Sequence, residues 1–250
     1  MGEPKIVYAD NLILVLDKPA GWVVNRAESA KGPIVQDWVS DNLKFEIRNL
    51  KLDRETDFFK RSGIVHRLDK DTSGLLLVAK MPDAFEYLTG QFAQRQVKKR
   101  YTALVHGRTD TEGVVEAPVG RLPWNRERFG VFPGGRDART EYRVVGYYEM
   151  GGALPAGGQE KWDRFSLLEV IPMTGRTHQI RVHLKSIGHP IVADQFYAGR
   201  KTAREDLKWC PRLFLHAGYL GFLHPVSGKW VEFTSALPGD LVNALKSVKM

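Results

Sequence analysis

The chain has 250 residues, an ordinary hydrophobic content and a formal net charge of +8, with a sequence pI near 9.5. That length is enough for a sizeable core, in one large domain or two small ones, and the charge favours polyanions: RNA, DNA or an anionic membrane. The single cysteine, Cys210, excludes an internal disulfide framework and a cysteine-rich zinc site and suits a reducing cytosol.

No apolar run reaches the length of a membrane span. The opening Met-Gly-Glu-Pro-Lys has no signal-peptide core. A cytoplasmic location is therefore the expectation. Lys5 to Asp10 and Leu12 to Leu16 read as short strands joined at the turn pair Asp10-Asn11. Pro19 and Gly21 then force a loop. Pro33 to Asn42 reads as a short helix, with Pro33 in its first turn and Ile34, Trp38 and Val39 near one face. Residues 44–62 are charged and aperiodic, and read as a surface insertion.

Next comes a polar kernel between apolar runs. Ile64-Val65 suits the end of a strand. Leu75 to Val78 suits a strand buried on both faces, and Asp71-Thr72-Ser73-Gly74 is turn chemistry. Arg67 and Asp69 lie between these runs, two residues apart, so on an extended chain they share a side. Charge at the edge of a core is costly unless paired, which marks the pair as a candidate site. Taken alone, an Asp before Thr-Ser-Gly is more often only a turn or cap.

Phe85, Leu88 and Phe92 repeat at helical spacing within Pro82 to Gln96. The run Lys98-Lys99-Arg100 leads into a strand in which Tyr101, Ala103 and Val105 alternate with their neighbours. A basic run beside an aromatic is one RNA-contact pattern, although a tyrosine on a strand is more often core. Gly113 to Pro118, Arg128 to Phe132 and Arg139 to Tyr148 read as strands. The basic, aromatic stretch Arg121 to Arg128 reads equally as an RNA contact or a solvated hairpin loop. Gly151 to Gly158 reads as a hairpin tip and lacks the lysine and spacing of a phosphate-binding loop. After a strand at Arg164 to Ile171, Thr174 to Gly188 is helical in pattern and crowded with donors: Arg176, His178, Arg181 and His183. No nearby cysteine or carboxylate completes a metal-ligand set around that histidine pair, so no metal is expected. A hairpin turned at Ser227-Gly228 and a helix from Pro238 to Val248 close the chain.

The kernel His66-Arg67-Leu68-Asp69-x-x-Thr72-Ser73-Gly74-Leu75-Leu76-Leu77-x-Ala79-Lys80 resembles the active-site motif of the pseudouridine synthases of the RluA family. Four more stretches resemble that family in order. They are Lys18-Pro19-x-Gly21, Lys99-x-Tyr101-x-Ala103-x-Val105, Gly175-Arg176-x-His178-Gln179-Ile180-Arg181 and Leu213-Phe214-Leu215-His216-Ala217. His189 to Tyr197 is also similar, with Ala193 where the family usually has glycine.

The resemblance implies an α/β chain of the α+β type: a mixed, largely antiparallel sheet flanked by helices, with a central RNA-binding cleft. It implies isomerisation of uridine to pseudouridine in structured ribosomal or transfer RNA, without a cofactor. Asp69 becomes the catalytic carboxylate, Arg181 its partner, and Tyr101 the residue that contacts the target base. Leu215 is the apolar residue against the site. Arg67 is expected to hold a phosphate or fill the space left by an extruded uridine, with His66 filling part of it. Arg176 is a further substrate-binding candidate. Lys18-Pro19-x-Gly21 is expected to be mainly structural.

A carboxylate beside buried sheet needs a cation next to it to stay ionised. Uracil is a good leaving group because its carbonyls hold negative charge, so one carboxylate can suffice where most glycosidases need two. Two roles for Asp69 fit: nucleophile, or base at ribose C2′ that yields a glycal. The rivals are a non-catalytic RNA-binding or RNA-folding protein on the same scaffold and a hydrolase of nucleosides or sugars. Neither needs Asp69, Tyr101 and Arg181 together with a basic surface. No repeat or composition break marks a second domain, so one catalytic domain over residues 1–250 is expected. Many family members carry an N-terminal RNA-binding domain; with a first strand near Lys5, none is expected here, and monomer is the expected state.

Overall fold

Asp10 makes the first turn as its chemistry requires. Its Oδ1 accepts the backbone N–H groups of Leu12 and Ile13, each at 2.8 Å, an Asx-type turn. On either side lie β1 (Lys5–Ala9) and β2 (Ile13–Lys18), paired antiparallel. The structure is a computed structural model and describes residues 2–26, 32–42, 55–150 and 164–250, with only the backbone at 126 and 127. It falls into two units, Met1–Lys99 with Ala217–Ser235, and Arg100–His216 with Ala236–Met250. No helix among the described residues is long and apolar enough to cross a membrane.

In the first unit β2 pairs antiparallel with β3 (Ser73–Ala79). All seven residues of β3 are buried, as an unbroken apolar run demands. The helices are α1 (Val35–Asn42), α2 (Asp57–Lys60) and α3 (Pro82–Ala93). Phe85 and Leu88 of α3 enter one core with Ile13, Val15, Leu75 and Leu77. Phe58 of α2 joins that core at 2% exposure. The stretch read as a surface insertion thus contributes an anchor at its end, while residues 44–54 lie outside the described residues.

The expected strand end at Ile64-Val65 shrinks to one bridge, Ile64 to Val78. Gly63 explains the change. Its φ is +74°, and a Cβ there would sit 2.0 Å from the Ala79 carbonyl oxygen. The chain turns at Gly63, makes one β-bridge to β3 and runs irregularly from His66 to Asp69.

In the second unit β4 (Lys98–His106), whose first two residues belong to the first unit, pairs antiparallel with β9 (Arg164–Pro172). Ahead of β9 come β5 (Glu112–Glu116), β6 (Val119–Leu122), β7 (Asn125–Val131) and β8 (Arg139–Met150). Strand β8 pairs antiparallel with both β9 and β5. The stretch from Arg121 is itself a hairpin of β6 and β7, with Trp124 75% exposed at its tip. The Gly151–Gly158 reading lies outside the described residues.

The helix expected from Thr174 begins only at Gln179, as α4 (Gln179–Ser186), because His178 takes a left-handed φ of +56°. Then follow α5 (Arg200–Asp206) and β10 (Leu215–Leu223). From Ala217 onward β10 belongs to the first unit, where it pairs with β11 (Trp230–Thr234) and neighbours β3. The last helix, α6 (Gly239–Lys246), stops before Val248, which instead pairs with Met150 of β8 in a short strand β12 (Val248–Lys249). The mixed α/β, largely antiparallel fold read from the sequence is the one observed.

Candidate active site

The kernel loop is fixed from both sides. Thr72 donates its backbone N–H to the Asp69 carbonyl at 3.2 Å, closing a turn. Beneath it lies Lys18, fully buried. Its Nζ donates to the carbonyls of Pro19, Trp22 and Lys70, each at 3.0 Å. Gly21 adds a backbone bond to the same Lys70 carbonyl at 2.8 Å. A buried ammonium is tolerable only when its donors are satisfied. Lys18-Pro19-x-Gly21 therefore clamps the residue next to Asp69, which gives its structural role a mechanism.

Gly74 sets the other side. Its φ is +118°, and a Cβ there would lie 2.3 Å from the Ala217 carbonyl oxygen. No other residue fits the Thr-Ser-Gly corner where β3 meets its neighbour. Along the loop, Leu68 is 4% exposed, while Arg67 is exposed and Asp69 half-buried. The buried leucine turns the two charged side chains away from the core, in line with the alternation read from sequence.

His66 is engaged from beneath. Its Nε2 accepts the Leu77 N–H at 2.9 Å, and its ring stacks on Phe92 with centroids 4.7 Å apart. Burial, then the positive charges of Lys99 and Arg61, push its pKa down to about 3. The ring is neutral, with its proton on Nδ1. Lys99 lies over the Phe92 ring at 5.9 Å, and burial lowers its pKa to about 8.

In the second unit Tyr101 opposes Val170 on β9 and packs, partly buried, against the core that contains Ala103, Val105 and Leu168. Leu215 lies in the same core at 3% exposure. Arg176 is half-buried, and its Nε donates to the Asp137 carbonyl at 3.2 Å. Arg181 is 4% exposed. Its Nε and Nη2 each meet a carboxylate oxygen of Asp194 at 2.8 Å, and its guanidinium lies 5.5 and 5.0 Å from the centroids of Phe196 and Tyr197.

Gln179 starts the helix that carries Arg181. Its Oε1 accepts from the Thr174 hydroxyl and the Arg176 N–H, and its Nε2 donates to the Arg139 carbonyl and Thr140 Oγ1. His183 stands between Thr140 Oγ1 and the Ala117 carbonyl, each at 2.9 Å. Burial lowers its pKa, so its ring is a neutral strut between strand and helix. Among the described residues no group of three or more His, Cys, Asp or Glu is arranged to hold a metal ion.

Residues 12–186 match the family described as RNA pseudouridylate synthase. The chain belongs to that family. A relative from Chloroflexus aurantiacus described as an uncharacterized RNA pseudouridine synthase is 42% identical, over 93% of this chain and 66% of its own length. Ribosomal large subunit pseudouridine synthase D of Nitrosomonas europaea is 39% identical, over 98% of this chain and 65% of its own length. The chain thus spans about two thirds of the length of these relatives. Among solved structures, human RNA pseudouridylate synthase domain containing 1 aligns with a TM-score of 0.70 at 25% identity, over 98% of this chain and 88% of that one.

Sequence reading gave no role to Asp194, although an acid that ends the apolar run Ile191-Val192-Ala193 signals a buried pair. Gln179 carried the weaker signal of a polar residue at a helix start. The hub at Lys18 carried none of its own, because its acceptors are backbone carbonyls.

Proposed function

We propose that this chain isomerises uridine to pseudouridine in structured RNA, with Asp69 as the carboxylate that acts at the nucleotide. The family match over residues 12–186, which contains Asp69, Tyr101 and Arg181, carries this reading. In it Arg181, preorganised by Asp194 and its aromatic cradle, orients and neutralises Asp69 as a charge-assisted partner. Tyr101 stacks on the extruded uracil and limits the motion of the detached base. Arg67, exposed beside Asp69, holds a phosphate or fills the space the base leaves. His66, committed through Nε2 to Leu77, is a positioning residue behind Arg67. Leu215 lines the pocket with an apolar surface that keeps water from the cleaved sugar, and Arg176 contributes a phosphate contact.

Extruding a stacked base costs a few kcal/mol, which the basic surface offsets through phosphate contacts. Family membership favours one catalytic domain built from both units, since the matched residues run through each. The name of the Nitrosomonas relative favours large-subunit ribosomal RNA over transfer RNA. A cytoplasmic, monomeric enzyme that needs no cofactor is part of the same proposal. The test is release of tritium from C5-tritiated, unmodified ribosomal RNA and transfer RNA. Release from ribosomal RNA is expected. RNA binding without release from either pool would support the non-catalytic rival, and activity on free uridine the hydrolase.

A further inference from the structure

A groove of about 590 Å³ opens in the second unit, lined by the helix that carries Arg181, the segment after Asp194 and the β6–β7 hairpin. Among the described residues that line it are three cations, Arg128, Lys185 and Arg200, and no carboxylate. Three positive side chains around one hollow repel each other unless an anion enters. Phe196 also lines the groove and is 43% exposed. An exposed aromatic ring among cations is the composition that holds nucleotides, phosphate on the cations and base against the ring. The volume lies within the range of small-ligand sites.

The position of the groove matters as much as its charge. Phe196 and Tyr197 line it, and the same two rings lie beneath the Arg181 guanidinium. Lys185 stands one helical turn beyond Arg181. A strand held there runs beside the arginine assigned to the reaction, separated from it by the thickness of an aromatic side chain.

We propose that this groove is a docking subsite for the RNA strand next to the target uridine. It holds the phosphates of neighbouring nucleotides on Arg128, Lys185 and Arg200, with a base against Phe196. Recognition there is by backbone charge and stacking, so it positions the strand and tolerates several sequences. The inference rests on the RNA reading above and adds to it a second point of contact.

The experiment is a salt titration of binding to unmodified ribosomal RNA, with the full native chain and the combined variant Arg128→Gln, Lys185→Gln, Arg200→Gln. A control carries Lys229→Gln, Lys246→Gln and Lys249→Gln, outside the groove, and thermal melts establish that each variant is folded. The slope of log affinity against log salt should become shallower by about 2 in the groove variant, roughly 0.7–0.9 per lost phosphate contact, and by less than half of that in the control. An unchanged slope, or an equal change in the control, overturns the subsite. Tritium release by the native chain, run in parallel, separates the two claims. A groove-specific slope change without release from either ribosomal or transfer RNA keeps the subsite and sinks the isomerase reading. Release with no groove-specific change does the reverse.

Discussion

Asp194 grips Arg181 with both carboxylate oxygens, 2.8 Å to Nε and 2.8 Å to Nη2, and the same carboxylate accepts the backbone N–H groups of Phe196 and Tyr197. One buried acid therefore sets the direction of the guanidinium and the two rings beneath it. Removing one partner of a buried pair strands the other charge, at about 3–5 kcal/mol. Asp194→Ala should lose that much in denaturant unfolding. Asp194→Asn keeps the shape and the backbone contacts, so it should cost less stability while still lowering kcat for tritium release. A normal kcat in a folded Asp194→Asn would show that Arg181 does not need its carboxylate.

His66 makes stability depend on acid. Its folded pKa, about 3, lies below its ordinary 6.5. Between those values the unfolded chain binds the extra proton, so the stabilising effect of the neutral ring is present above pH 6.5 and is lost as pH falls towards 3. Partial exposure of the side chain reduces the effect to about 1–2 kcal/mol. His66→Gln, which keeps an acceptor for Leu77 but does not titrate, should flatten this part of the pH–stability curve. Parallel curves for the two proteins between pH 6.5 and 4 would contradict the assignment.

Lys99 acts at the other end of the scale. Burial brings its pKa to about 8, so its charge is lost as pH rises through that value. If it contacts RNA phosphate, affinity should weaken between pH 7 and 9, and Lys99→Arg should abolish that dependence because guanidinium stays charged. An identical pH profile for native and Lys99→Arg would remove Lys99 from the RNA interface.

Ala193 carries a left-handed φ of +58° while 98% buried, and its N–H donates to Asp206 Oδ2 at 2.8 Å. Glycine would relieve about 1–2 kcal/mol of strain. It would also lose about 0.8 kcal/mol of methyl burial and gain roughly 0.4–1 kcal/mol of unfolded-state entropy. Ala193→Gly should therefore stay within about 1 kcal/mol of the native protein. Ala193→Val adds β-branching to a strained, packed position and should cost about 2–4 kcal/mol. Equal melting temperatures for the glycine and valine variants would refute this account of the turn.

The sequence displayed β3 plainly, since a short unbroken Leu-Leu-Leu-Val run after a turn suits a strand buried on both faces. It displayed the kernel as well, because Arg67 and Asp69 flank a single buried leucine. Helix boundaries were harder to read. His178 delays α4 by a left-handed backbone that a non-glycine residue adopts only occasionally, and Val248 leaves the last helix for a partner almost a hundred residues away. Such choices are made by tertiary pairing. The same holds for the supports of the site, where Lys18 and Asp194 act through backbone groups and a distant side chain.

The most direct measurement compares the native chain with Asp69→Ala and Asp69→Asn in tritium release from C5-tritiated, unmodified ribosomal RNA. Melting curves and RNA affinities of all three are recorded alongside. Release by the native protein alone is expected, with affinities within about tenfold and all three folded. Release by either variant at a rate near native would contradict the assignment of Asp69.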